Sequence, residues 1–222
     1  MKRMNKTFTH IETKLLEDLS ADTSDTGRKY RTPVGDLPSV TTVVGWEKRK
    51  FFAAWRRENP AESKRVLVRG NQMHNMIEDY LNNELDREKY NGETQYLFNS
   101  LQSELNKIDN VYEVETPLWS ENTMLAGRVD CIAEYNGKLS IIDFKGSTNP
   151  KTRNQCFSYF QQATAYAIAY EERTGIRVDN FVILMVTDEG IVQVFEGNPK
   201  DYAKSLLETI EKYHADQVIV DV

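Results

Sequence analysis

The residues in this chain that could do chemistry cluster around a turn signal. Asn136-Gly137 is the strongest two-residue hairpin sequence available, and it stands between two segments that alternate in polarity. A two-residue turn fixes the register: residue 135 faces 138, so Asp130 faces Asp143 and Arg128 faces Lys145. Opposed side chains in such a ladder lie ~4.5 to 5.5 Å apart at Cβ, and two carboxylates that close repel unless a cation or proton sits between them. Period-two alternation puts all four side chains on one face, a carboxylate pair beside a cationic pair. Oxygen ligands at that spacing suit Mg²⁺ or Mn²⁺, hard ions that keep several waters and contact phosphate. An ion so held polarises a phosphoryl oxygen and activates bound water, while the Lys145 ammonium steadies charge developing on phosphate. The plainer alternative is a solvated edge hairpin. Against it, Ile141-Ile142 runs straight into Asp143-Phe144-Lys145, as in an interior strand that delivers its charges at its end.

A second group is helical in spacing. Gly70, His74 and Glu78 recur every four residues and form one stripe, in which glycine leaves room for a neighbouring backbone and imidazole with carboxylate can complete a metal site. A packed, hydrogen-bonded histidine explains the same spacing; the Asp pair favours the ligand. Upstream, residues 46–70 carry Lys48, Arg49, Lys50, Arg56, Arg57, Lys64, Arg65 and Arg69 against three acids, a local +5 in a chain of net charge −6. Trp46, Phe51, Phe52 and Trp55 are interleaved with them, the combination that holds single-stranded nucleic acid by phosphate contact and base stacking. An amphipathic helix with an aromatic core face accounts equally for the rings. Lys151 and Arg153 form a further basic pair after Lys145, placed to meet phosphates leaving the metal.

These side chains need a scaffold. Residues 1–30 are polar and read as a partly mobile arm with one short helix; residues 31–222 read as a single domain. Asn59-Pro60-Ala61-Glu62 is a good helix start, and that helix runs to about residue 83. A polar helix follows over 93–107, then strands over 111–119, 126–135 and 138–145, a helix over 159–173, strands over 181–187 and 191–196, and a helix over 199–214. The pattern predicts an α/β (α+β) mixed sheet flanked by helices.

Composition narrows the classes. At 222 residues, 40% hydrophobic and 28% charged, the chain has material for a real core. Its longest wholly apolar run, residues 181–186, is far shorter than the ~18 to 20 residues of a bilayer span. Two cysteines, Cys131 and Cys156, are too few for a disulfide scaffold or an iron-sulfur cluster. No signal or transit peptide is readable in the first twenty residues, so a cytoplasmic location is expected.

The residues also resemble a known family. Gly70-Asn71-Gln72-Met73-His74, Glu115, Gly127-Arg128-Val129-Asp130, Asp143-Phe144-Lys145 and Gln162-Ala163-Thr164-Ala165-Tyr166, in that order, are similar to the RecB-type branch of the PD-(D/E)XK nuclease superfamily. More narrowly, LPSVTTVV at 37–44, DCIAEYNGKLSIIDFKGSTNPK at 130–151 and QATAYAIAY at 162–170 resemble the mitochondrial genome maintenance exonucleases and their viral relatives. The resemblance implies a restriction-endonuclease-like fold and a Mg²⁺- or Mn²⁺-dependent DNA exonuclease that prefers single strands with free ends. It implies that His74, Asp130, Asp143 and the Phe144 carbonyl bind the metal and that Lys145 serves the attacking water. Gln162 and Tyr166 complete the site, with Glu78 and Glu115 as nearby acids. Val129 replaces the superfamily's proline, and Gly146 replaces a frequent threonine, leaving Ser147 to supply any hydroxyl contact. A viral protein in a host cytoplasm fits better than a mitochondrial one.

The expected partner is therefore DNA, held by Lys48, Arg49, Lys50, Arg56, Arg57, Arg65, Arg69, Arg128, Ser147, Lys151 and Arg153, with no membrane involved. A flap endonuclease and a non-catalytic nucleic-acid-binding accessory protein are the competing readings.

Overall fold

The computed structural model describes residues 6–13, 16–24 and 27–220. Its centre is a five-stranded mixed sheet in the order β4-β5-β6-β7-β8, built from Ile108–Ser120, Leu125–Tyr135, Lys138–Ser147, Phe181–Thr187 and Val192–Gly197. All pairs are antiparallel except β6 with β7. That parallel pair requires a crossover, supplied by α5 (Phe157–Thr174). β7 is buried at every position, which explains why its sequence is a continuous apolar run and not an alternating one.

Helices cover both faces. On one lie α5, α6 (Lys200–Val220) and the short α1 (Val40–Val44), packed on Ile141, Ile183 and Met185 through Phe160, Ala163, Tyr170, Leu206 and Val43. On the other lie α3 (Pro60–Leu81) and α4 (Gly92–Leu105), packed on Ile142, Phe144, Val182 and Leu184 through Met73, Ile77, Leu97 and Leu101. Successive residues of β6 thus feed opposite cores, as the pleat demands. The expected polar helix at 93–107 is half-buried on this second face.

The β5–β6 turn forms as its sequence predicts. Asn136 and Gly137 take φ of 51° and 76°, the left-handed pair that a two-residue hairpin requires, and the register runs from Tyr135↔Lys138 to Cys131↔Ile142. The helix expected from Asn59-Pro60 forms as α3, with proline in its first turn, but the Asn59 side chain does not cap it. Its Nδ2 instead donates to the Trp55 carbonyl and closes the preceding α2 (Arg49–Glu58).

Within residues 1–30 the described stretches are extended, and no helix occurs among them. Ala21–Ser24, Gly27–Thr32 and Gly35–Pro38 form an antiparallel sheet, β1-β2-β3. Tyr30, Leu37 and Leu19 pack with Trp119 and Ala126 of the main sheet, which gives this small sheet an apolar underside that its polar sequence conceals.

Candidate active site

The backbone ladder between β5 and β6 stops at Cys131↔Ile142, one row before the two aspartates. There the Phe144 N–H donates to Asp130 Oδ2 at 2.9 Å, so a carboxylate takes over where the strands part. Asp143 and Lys145 share a face, as alternation predicts: Lys145 Nζ donates to Asp143 Oδ1 at 2.7 Å. Gln162 of α5 donates to the same oxygen at 2.8 Å. Asp143 Oδ2 is buried with no partner, an orphan acceptor of the kind a bound cation satisfies. Burial pushes the Asp143 carboxyl above its usual range, and Lys145 offsets this only in part while Asp130 adds to it. Burial works against the Lys145 charge too, but the two aspartates outweigh it and hold the ammonium protonated.

Opposite this pair stands the α3 stripe. His74 Nδ1 lies 3.6 Å from Asp130 Oδ2 and 3.9 Å from Glu115 Oε1. Desolvation favours a neutral ring, yet the charge of Asp130 and the contact with Glu115 prevail and raise the imidazole to about 9. Donor atoms of His74, Glu115 and Asp130 fall within 4.8 Å of one another. Glu115 therefore stands in the first rank of acids here, where the sequence suggests only a nearby one. Glu78, next on the stripe, is raised chiefly by burial and then by Glu115. Gly70 completes the stripe, but no backbone approaches it; it faces open space in the cleft.

Two irregularities aim these groups. Glu115 has φ of 47°, a left-handed conformation inside a strand and costly for a residue with a Cβ. Across from it the pleat of β5 reverses: Val129 packs in the α5-side core and Cys131 in the α3-side core, although residues two apart should share a face. Asp130 sits at that reversal. The expectation of one common face for residues 128, 130, 143 and 145 consequently fails for β5. Arg128 does not meet Lys145; its guanidinium donates to the Glu115 carbonyl and reaches Asp18 at 3.5 Å, bracing the strained residue.

Tyr166 packs its hydroxyl against β5, where a Cβ on Gly127 would lie 2.8 Å from it. Burial, then the charges of Asp130 and Asp143, keep this phenol neutral far above ordinary pH.

The site opens into a cleft of about 620 Å³. Gly70, His74 and Glu78 of α3 form one wall; Arg28, Tyr30, Ser39 and Thr41, from or beside the small sheet, form another. Nothing in residues 1–30 suggests chemistry by type or spacing, so Arg28 and Tyr30 are found only through the fold.

The basic residues divide. Lys48, Lys50, Arg56 and Arg57 are exposed on or next to α2, beside Phe51 and Phe52, which are 67% and 45% exposed. Arg49 lies 4.6 Å over the Trp46 ring, and Trp46 itself is engaged by Tyr213 and Asp216 of α6. Arg65 pairs with Glu62, Glu93 and Asp188, and buried Arg69 pairs with Asp188. Arg153 is turned to the Glu196 carbonyl and Tyr202, and Ser147 donates to the Asn149 carbonyl. Arg65, Arg69, Arg153 and Ser147, expected to hold DNA, are thus each engaged by partners within the fold. Lys151 reaches Tyr159, near Lys145.

Every donor at the centre is oxygen or imidazole, the set that suits a hard divalent ion. The mitochondrial genome maintenance exonuclease 1 of Xenopus tropicalis is 29% identical over 175 residues, covering 70% of this chain and 50% of the relative. The Mus musculus protein is 28% identical over 147 residues (59% and 43%), and the Homo sapiens protein 26% over 173 residues (69% and 50%). The chain spans about half the length of these relatives. No helix among the described residues is long and apolar enough to cross a membrane. A model of the PD-(D/E)XK nuclease superfamily matches residues 47–219, a stretch that contains the whole Asp130, Asp143 and Lys145 centre with its α3 and α5 walls, and the chain belongs to that superfamily.

Proposed function

We propose that this chain is a DNA exonuclease that hydrolyses phosphodiester bonds from the free ends of single strands with Mg²⁺ or Mn²⁺. The observations that carry the reading are the His74, Glu115 and Asp130 cluster and, where β5 and β6 part next to Asp130, the buried and unpartnered Asp143 Oδ2. His74, Asp130 and Asp143 would hold the ion, with Glu115 and the Phe144 carbonyl as further donors. A divalent ion bound there polarises a phosphoryl oxygen and lowers the pKa of water in its shell.

The remaining work falls to side chains. Lys145, protonated between two aspartates, faces charge building on the phosphate and orients the attacking water. Gln162 ties Asp143 by Oδ1 and so leaves Oδ2 for the cation. The exposed Phe51 and Phe52, with Lys50, Arg56 and Arg57 around them, suit the stacking and phosphate contact by which single strands are held. The relatives' names, exonucleases all, support action from ends.

End-labelled single strands and covalently closed circles, each incubated with Mg²⁺, Mn²⁺ or chelator, test the reading. We expect metal-dependent loss of the linear strand and an intact circle. Cutting of circles or flaps means an endonuclease, and binding without degradation in Mn²⁺ means an accessory protein.

A further inference from the structure

The sheet register lines up three residues on three strands: Lys145 pairs with Met185, and Met185 with Gln193. Residues in one row project to one face, and Met185 lies in the core under α5, so Lys145 and Gln193 look toward the same helix. Between them passes the loop that leaves β6. The Gln193 amide grips that loop at both ends of one residue. Lys151 N–H donates to Gln193 Oε1 at 2.8 Å, and Gln193 Nε2 donates to the Lys151 carbonyl at 2.9 Å. With its backbone so clamped, Lys151 Nζ donates to the Tyr159 hydroxyl at 2.7 Å. The Tyr159 ring then lies 5.2 Å from Lys145 Nζ, within cation–π range.

The catalytic reading uses neither Gln193 nor Tyr159, and Lys151, expected from the sequence to meet phosphate, is held here by both. We infer that Gln193, Lys151 and Tyr159 form a positioning chain that fixes the Lys145 ammonium in the site, running from the edge strand β8 through a main-chain clamp to an aromatic ring. The inference rests on the reading of Lys145 as the group that faces the phosphate. Each link is directional. A side-chain amide carries both a donor and an acceptor, so Gln193 alone engages the N–H and the carbonyl of Lys151. The hydroxyl ties the ring to the loop, and the ring, with no charge of its own, steers an ammonium without neutralising it.

The test reads Lys145 directly. The full chain and its Gln193→Ala, Tyr159→Phe and Tyr159→Leu variants are pulse-labelled with acetic anhydride, and the rate at each lysine is followed by peptide mass spectrometry. We expect acetylation of Lys145 to rise severalfold in Tyr159→Leu and Gln193→Ala and less in Tyr159→Phe, which keeps the ring. Lys107, just before β4, and Lys138, at the opposite end of β6 from Lys145, should not change. On single strands, kcat should fall about tenfold in Tyr159→Leu with KM within about twofold, since the chain positions a reacting group and does not bind the strand. Unchanged Lys145 labelling in Tyr159→Leu overturns the inference. Altered labelling in Tyr159→Leu but not in Gln193→Ala overturns the extension to β8, and a general rise at all lysines marks loss of fold and overturns a local role. Wild-type protein without nuclease activity sinks the functional reading, while the labelling pattern still decides whether the chain of contacts holds Lys145.

Discussion

Asp130 Oδ2 accepts the Phe144 N–H at 2.9 Å in the first row beyond the last backbone pair of β5 and β6. One carboxylate therefore has two duties, closing the backbone at a parting and presenting charge to the cleft. The duties separate by substitution. Asp130→Asn keeps an acceptor for Phe144 but loses the charge, so cleavage should fall by at least ~10² while the unfolding midpoint stays close to wild type. Asp130→Ala also leaves a half-buried N–H unpaired, at a cost of ~1 to 3 kcal/mol. Urea denaturation of both variants beside a cleavage assay checks the split; equal stability of the two would show that Phe144 finds water or another acceptor.

Glu115 holds φ of 47° in the middle of a strand. A non-glycine residue there costs ~1 to 2 kcal/mol. Glu115→Gly should consequently be more stable than Glu115→Ala by about 1 kcal/mol, although both lose the same carboxylate. Both should bind Mn²⁺ more weakly than wild type in titration calorimetry. A Glu115→Gly variant no more stable than Glu115→Ala would mean that Arg128, donating to the Glu115 carbonyl, already relieves the strain.

The His74 imidazole is raised from 6.5 to about 9 when no cation occupies the cluster. A group whose pKa is raised on folding adds stability that is fully present below its unfolded value and fades as pH rises through the folded one. The stability difference between wild type and His74→Gln should thus be largest below pH 6.5 and shrink toward pH 9. An imidazole that ligates a metal must be neutral, so cation binding at neutral pH should release about one proton. Calorimetry in buffers of different ionisation enthalpy measures it, and binding without proton release would remove His74 from the ligands.

How far these features were readable beforehand depends on the distance over which they are set. The hairpin, its register and the Asp143–Lys145 contact follow from local rules, a turn dipeptide and a period of two, and the structure keeps them. The facing of Asp130 and Arg128 does not, because the pleat reverses between Val129 and Cys131, and no composition signal marks that reversal. Arg69 looks like a free cation in a window of sequence because its partner, Asp188, is more than a hundred residues away on the β7–β8 turn, and Arg65, though Glu62 lies three residues upstream of it, shares that distant partner. The wall made by Arg28 and Tyr30 was hidden for a similar reason. The small sheet has one buried row against Trp119 and Ala126, too short a pattern to distinguish from a polar arm.

At Gly127 the Tyr166 side chain of α5 lies where a Cβ of the sheet would stand. A Cβ there would lie 2.8 Å from the Tyr166 hydroxyl, 2.9 Å from Cε1 and 3.2 Å from Cζ. Gly127→Ala should cost ~1 to 3 kcal/mol, as overpacking does. Adding Tyr166→Phe should recover only part of it, since the ring carbons stay in place. A thermal-denaturation cycle over the two single variants and the double checks this, and full recovery would place the conflict at the hydroxyl alone.

The two classes of arginine on α2 and α3 should separate in their response to salt. Arg56 and Arg57 are exposed beside the uncovered rings of Phe51 and Phe52, whereas Arg65 is held by three acids and Arg69 is 4% exposed against Asp188. Neutralising a phosphate contact on a single strand lowers the slope of log K against log salt by ~0.7 per contact. Arg56→Ala with Arg57→Ala should therefore flatten the salt dependence of single-strand binding and leave unfolding nearly unchanged. Asp188→Asn should do the reverse, because it strips the ion pair from a buried guanidinium, a change that costs ~3 to 5 kcal/mol in other buried pairs. Fluorescence anisotropy on a labelled oligonucleotide over a salt series, with urea denaturation of the same variants, measures both. If Arg56 and Arg57 leave the slope untouched while Arg65→Ala lowers it, the strand runs over α3 and not α2, and the three acids around Arg65 exchange for phosphates when DNA arrives.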